Sequence, residues 1–137
     1  MTHPFALSLA GLPAFLAYFA LAVALLLVFG FIYTRLTSHD EFELIRHGNS
    51  AASLALGGSL IAFVLPLASA IVHAVSLTDF LIWGVIALVI QLATFFGVRI
   101  FLPNLSQRIT RGEMAAGLFV ALTSIAIGTV NAACMTP

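Results

Sequence analysis

The chain has 137 residues, of which 62% are hydrophobic and 7% are charged, and its mean hydropathy is +1.18. Soluble domains carry roughly 45–50% apolar and about 25% charged residues, so this composition excludes a soluble enzyme and predicts a protein embedded in the lipid bilayer. Five Arg balance five Asp and Glu, which argues against a nucleic-acid-binding protein, and one cysteine excludes an intrachain disulfide.

Charged residues divide the chain into four apolar stretches, each long enough for one membrane-spanning helix. About 20 apolar residues in an α-helix cross a hydrocarbon core of about 30 Å. We therefore expect an all-α integral membrane protein that forms a single domain over residues 1–137. The predicted transmembrane helices lie near 13–33, 51–75, 80–102 and 115–135. Because no Lys or Arg precedes the first span, we expect it to be a retained helix rather than a cleavable signal peptide.

The loop after the first span, residues 36–50, contains three of the five acidic residues. Ser38 followed by Glu41 fits a capping box, so the sequence predicts a short helix over 39–47 that lies on the membrane surface. This loop supplies the candidates for contact with a partner protein. They are His39, Asp40, Glu41, Glu43 and Arg46.

Three residues of this short helix, His39, Glu43 and His47, would share one face. Their spacing at i, i+4 and i+8 is that of metal ligands, and a solvated polar face explains it equally well. We predict no metal site and no cofactor.

Small residues recur every four positions in the second and fourth spans, whereas the first and third spans are bulkier. Small side chains let helix backbones approach closely in a membrane, so we expect the second and fourth spans to form the inner contact. An Ala-rich composition without a defined interface is the alternative. The candidate packing residues are Ala51, Ala55, Gly58, Ala62, Gly117, Ala121, Ser124 and Gly128.

No Asp, Glu, Lys or Arg lies at the centre of a span, which argues against a pump with a buried carboxylate. Gln91 lies in the middle of the third span, either as a pore-lining amide or as an interhelical hydrogen-bond donor, and we favour the second interpretation. Pro66 is expected to kink the second span. The candidates for pore lining or polar contact are Ser59, Pro66, His73, Gln91 and Asn131.

The two halves of the chain align without gaps at an offset of 64 residues, pairing Arg35 with Arg99 and Gly48 with Gly112. Each half, approximately 13–75 and 79–137, holds two spans and therefore inserts in the same direction. The sequence thus predicts two parallel two-helix repeats, related by an axis near the membrane normal.

All five Arg lie in or beside the loops at 36–50 and 103–113. Basic residues concentrate on the cytoplasmic side of a membrane protein, so both loops are expected to be cytoplasmic and both termini periplasmic.

Three segments carry a resemblance to a known family: Asn49–Ala55, Ile86–Leu92 with Gly97–Arg99, and Asn131–Thr136. They resemble the domain-of-unknown-function 350 family of bacteria, also called uncharacterised protein family 0719, over nearly the whole chain. The resemblance implies a multi-pass protein of the bacterial inner (plasma) membrane, built from two copies of a two-helix unit. It supplies no catalytic residues, and it implies a peripheral envelope-stress protein as a partner.

Two functional classes remain, and neither is an enzyme. The first, which the sequence slightly favours, is an oligomeric pore for ions or small solutes, formed between subunits. The alternative is a membrane scaffold that recruits a peripheral envelope-stress protein through its cytoplasmic loops. A homo-oligomer is expected in either case, because the small-residue faces exceed what one four-helix unit must bury.

Overall fold

The computed structural model describes residues 3–135, and every regular element within this range is an α-helix. The elements in chain order are α1 (Pro4–Ala10), α2 (Leu12–Leu36), α3 (Glu41–Arg46), α4 (Ser50–His73), α5 (Leu77–Phe101), α6 (Leu105–Thr110) and α7 (Met114–Cys134). Residues 136 and 137, the end of the second predicted repeat and of the third resemblance segment, lie outside the described range.

Four helical stretches are long and apolar enough to cross a membrane, which confirms the prediction of four transmembrane helices. They are Pro4–Leu36, which joins α1 and α2, followed by α4, α5 and α7. The ends of the long helices differ from the predicted span ends by at most three residues. The largest shift at a helix start is at Leu77, because the Ser76 hydroxyl caps α5 by accepting a hydrogen bond from the Asp79 amide at 3.1 Å.

The central pair of helices is α4 and α7, which touch through their small residues. Gly58 lies directly against Ala121, and Gly128 lies against the carbonyl oxygen of Ala62. A Cβ atom added to Gly117 would lie 2.5 Å from the Ala51 carbonyl oxygen. In the most apolar window of α4 half of the residues are buried, against 11% in the first stretch. Helix α4 is therefore the core element, and the first helix is mostly exposed.

Aromatic contacts attach the outer helices to this pair. The rings of Phe29 and Phe63 stack with centroids 4.9 Å apart, which joins α2 to α4. Tyr33 meets Phe95 edge-on at 4.9 Å, which joins α2 to α5. All four rings are at most 4% exposed, so the interior between these helices is filled by side chains.

The start of α3 differs from the predicted capping box. The helix begins at Glu41, and its cap is Asp40, whose Oδ1 accepts a hydrogen bond from the Glu43 amide at 3.2 Å. Ser38 does not cap α3; its backbone amide donates instead to the hydroxyl of Ser106 in α6. The short helix is therefore 41–46 rather than 39–47.

Candidate functional site

The charged residues gather at one end of the molecule, which we call the charged end and define as residues 35–50 and 99–113. It contains all five Arg and four of the five carboxylates; Asp79, at the start of α5, lies outside it. The two halves of the charged end are joined by Asn49, whose side-chain amide donates to the Ile109 carbonyl at 2.8 Å. Its Oδ1 also caps α4 by accepting a hydrogen bond from Ala52.

A cavity of about 550 Å³ opens between α3 and α6, and we call it the interhelix groove. Its lining residues are Ser38, His39, Asp40, Glu43, Leu44, Ser106, Gln107, Thr110 and Arg111. Exposed carboxylates of Asp40 and Glu43 stand on the α3 side, and the Arg111 guanidinium stands on the α6 side. The groove can thus offer both signs of charge to a ligand, at positions set by two short helices.

A buried ionisable pair lies at the edge of this groove. The Glu41 side chain is fully buried and that of His39 is 5% exposed, and the His39 Nε2 atom lies 2.7 Å from Glu41 Oε1. The Tyr33 hydroxyl from α2 faces the Ser59 hydroxyl from α4 and the Glu41 carboxylate. A buried carboxylate is costly unless it is paired, and His39 is the ionisable side chain that lies within 2.7 Å of Glu41.

This arrangement corrects the expected polar face of His39, Glu43 and His47. His39 turns inward to Glu41, whereas Glu43 and His47 form an exposed pair with side chains 57% and 73% accessible, their nearest atoms 3.5 Å apart. No three His, Cys, Asp or Glu side chains come together as metal ligands anywhere in residues 3–135. The predicted shared face requires all three residues to lie in one helix. His39 precedes α3, so its side chain does not follow the helical spacing.

The structure also divides the candidates for partner contact. Glu41 is only 1% exposed and is unavailable to a partner. Asp40, Glu43 and Arg46 are exposed, and the first two line the interhelix groove together with His39.

Three polar residues of the membrane spans are buried between the helices. Gln91 and Ser59 are each 2% exposed and Asn131 is 8% exposed. The Gln91 Nε2 atom donates to the Ala62 carbonyl oxygen at 3.3 Å, so this amide bridges α5 to α4 beside Gly128 of α7. Pro66 is buried within an uninterrupted α4.

His73, the remaining polar candidate, is exposed at the opposite end of the molecule from the charged end. Its Nδ1 atom lies 2.9 Å from the Ser69 carbonyl oxygen of its own helix. The Ser69 hydroxyl in turn donates to the Ala132 carbonyl of α7 at 2.9 Å.

Sequence reasoning missed the burial of Glu41 and the participation of Tyr33. Glu41 is buried while its neighbour Phe42 is 58% exposed. Charged side chains are usually exposed and aromatic ones buried, so this pair reverses the expected pattern. Tyr33, which lies near Glu41, belongs to α2, and α3 itself packs against α4. No local pattern signals such a contact.

Comparisons with known proteins give a consistent result. The family described as "Domain of Unknown Function (DUF350)" matches residues 6–135. The UPF0719 inner membrane protein YjfL of Escherichia coli (strain K12) is 50% identical over 123 residues, which cover 90% of this chain and 93% of the relative. The UPF0719 transmembrane protein YshE of Bacillus subtilis (strain 168) is 28% identical over 119 residues, 85% of this chain and 89% of the relative. No solved structure matches.

Proposed function

We propose, since the chain belongs to the DUF350 family of inner-membrane proteins, that it is a membrane scaffold without enzymatic activity whose interhelix groove binds a peripheral protein. The observation that carries this proposal is the distribution of polar groups. Exposed charged side chains line an open groove at one end, whereas the polar residues of the membrane spans are buried between helices.

The groove favours a partner segment with charges of both signs. A basic side chain of the partner would meet Asp40 and Glu43, and an acidic one would meet Arg111. Charge pairs at the rim of an interface set orientation and partner choice more than affinity, which suits reversible recruitment.

The competing hypothesis, an oligomeric pore between subunits, needs polar side chains on the outer surface of the spans. Its candidate residues are not there, because Gln91, Ser59 and Asn131 are at most 8% exposed within a single chain. Gln91 is engaged with the Ala62 carbonyl and serves as an interhelical contact. The geometry therefore favours the scaffold over the pore.

Site-specific photocrosslinking in living bacteria tests the scaffold. A photoreactive residue at Thr110 in the groove should give a discrete crosslinked protein that the same residue at His47, outside the groove lining, does not give. The adduct should decrease when Asp40→Asn and Glu43→Gln are introduced, since Asn still caps α3 while both charges are lost. Identical adducts from positions 110 and 47 would contradict a groove-specific partner.

A flux measurement separates the two classes. Purified protein in liposomes should conduct monovalent ions no faster than protein-free liposomes, and Gln91→Leu should leave that result unchanged. Flux that is present in the original protein and abolished by Gln91→Leu would overturn the scaffold in favour of the pore.

We further propose that the charged end faces the cytoplasm, with both termini in the periplasm. The support is that all five Arg lie at that end, following the charge bias of bacterial membrane proteins. A partner at the interhelix groove would then be a cytoplasmic protein at the membrane surface, and the family resemblance points to one involved in envelope stress.

A parallel duplication is also part of the proposal. The order α2–α3–α4 is repeated as α5–α6–α7, and Gly48 and Gly112, 64 residues apart, both have a positive φ, 82° and 79°. Arg35 stacks over Phe31 as Arg99 stacks over Phe95, again with the offset of 64. These matched local geometries favour two copies of one unit.

That the protein forms a homo-oligomer stays a prediction, and the structure weakens the argument for it. The small residues that motivated it, Gly58, Gly117 and Gly128, are used within one chain at the α4–α7 contact. The span with the largest surface left for a second copy is the first helical stretch, of which only 11% of the apolar window is buried.

A further inference from the structure

A second cavity at the charged end adjoins the interhelix groove and has a different chemistry. It encloses about 330 Å³ and shares Ser38, Ser106 and Gln107 with the groove. Its own walls are formed by Arg99 at the end of α5 and by the loop before α6, including Asn104. We call it the Arg99 pocket.

The Arg99 pocket is rich in hydrogen-bond donors and has no carboxylate in its lining. One Arg99 nitrogen donates to the Leu36 carbonyl oxygen at 3.2 Å, and the guanidinium lies 5.7 Å from the centroid of the Phe95 ring. These contacts hold the side chain in place and leave its other N–H groups available. No Asp or Glu in the described range lies within ion-pair distance of Arg99.

The remaining polar groups of the pocket complement this cation. The Ser106 hydroxyl oxygen accepts a hydrogen bond from the Ser38 amide at 3.4 Å, so its own proton is available to donate. The side-chain amides of Asn104 and Gln107 supply further N–H groups. An unpaired guanidinium with hydroxyl and amide donors matches an anion that has several acceptor oxygens, and phosphate is such an anion that a guanidinium binds through two parallel hydrogen bonds.

The position of the pocket indicates where that phosphate comes from. Arg99 lies in the last turn of α5, next to Ile100 and Phe101, which are 83% and 80% exposed. Large apolar side chains this exposed at the end of a membrane span face lipid, so the pocket lies at the level of the lipid headgroups. We propose that the Arg99 pocket binds the phosphate of an anionic phospholipid.

The chain contains a matched control for this proposal. Arg35 occupies the corresponding turn of α2, is exposed like Arg99, and lies 4.9 Å from the centroid of the Phe31 ring. It does not line the Arg99 pocket. Loss of either arginine removes the same charge from the same end of the protein, but only loss of Arg99 removes a wall of the pocket.

The experiment compares lipid binding by the purified full chain and by Arg99→Gln and Arg35→Gln. Bound lipid is counted by native mass spectrometry during titration with phosphatidylglycerol, with phosphatidylcholine as the neutral comparison. Arg99→Gln should weaken binding of phosphatidylglycerol about tenfold, the effect of one charge-assisted contact, and Arg35→Gln should change it by less than about twofold. Equal losses in the two variants, or equal binding of both lipids, would overturn the proposal.

Two further arms distinguish the source of the phosphate and guard against misfolding. Inorganic phosphate at millimolar concentration should not displace phosphatidylglycerol; displacement would show that a free phosphate compound is the ligand and would overturn the lipid assignment. Ser106→Ala keeps every charge and should weaken phosphatidylglycerol binding severalfold if the pocket is the site. Unchanged binding in Ser106→Ala together with normal binding in Arg99→Lys would also contradict a pocket that recognises phosphate by shape.

Discussion

Two Glu–His pairs at the charged end have the same chemistry and opposite surroundings. The pair of Glu41 and His39 is buried, with 2.7 Å between Glu41 Oε1 and His39 Nε2, whereas the pair of Glu43 and His47 is exposed. Ion pairs at the surface contribute about 0–1 kcal/mol, but removal of one partner from a buried pair is strongly destabilising because the other is left without compensation. The environment, not the residue types, decides which pair matters for stability.

We therefore expect Glu41→Ala to lower the free energy of unfolding by about 3 kcal/mol, the lower end of the range for a broken buried pair. Glu43→Ala should lower it by less than about 1 kcal/mol. Thermal unfolding of the two variants in the same detergent provides the comparison. Equal shifts in the midpoint temperature would show that Glu41 is solvated in the folded protein.

The contact between α4 and α7 depends on the absence of side chains at particular glycines. At Gly117 an added Cβ would lie 2.8 Å from the Ala51 Cα atom, and backbone at that position cannot move independently of its helix. At Gly57, on the same helix as Ala51, an added Cβ would meet no atom within 4 Å. The two positions separate the need for close approach from the general effect of glycine in a helix.

Gly117→Ala should destabilise the protein by about 1–3 kcal/mol, the cost of overpacking a close contact. Gly57→Ala should be neutral or stabilising, because Ala is the better helix former by about 1 kcal/mol. Unfolding in detergent, followed by circular dichroism, measures both. A stable Gly117→Ala variant would indicate that α4 and α7 separate more readily than the structure shows.

The sequence predicts the positions of the long helices but not how they pack against one another. The four spans were predictable because lipid requires about 20 apolar residues per crossing, and charges mark the ends of each run. The small residues of α4 and α7 could be named from spacing, but not paired across the contact, since Gly58 against Ala121 depends on the relative rotation of two helices. Burial of Glu41 could not be predicted, because Tyr33 of α2 lies near it only through tertiary packing.

Viewed as a whole, the molecule is asymmetric along the axis of its helices. One end carries all five Arg, the interhelix groove and the Arg99 pocket, whereas the opposite end carries few charges, with Asp79 near the start of α5. Residues of α6 line both cavities at the charged end. Recruitment of a partner and binding of a lipid would therefore occur on adjoining surfaces. Such a molecule suits a role at one face of the inner membrane.

The orientation of this axis is open to a direct test with the single cysteine of the chain. Cys134 is exposed and ends α7, at the end opposite the charged end. If the charged end is cytoplasmic, a membrane-impermeant maleimide should label Cys134 in spheroplasts of Escherichia coli that express the chain. The double variant Cys134→Ser, Gln107→Cys places a thiol at the interhelix groove instead and should be labelled only after the membrane is opened. The reverse pattern would place the groove and the Arg99 pocket in the periplasm, where a cytoplasmic partner could not reach them.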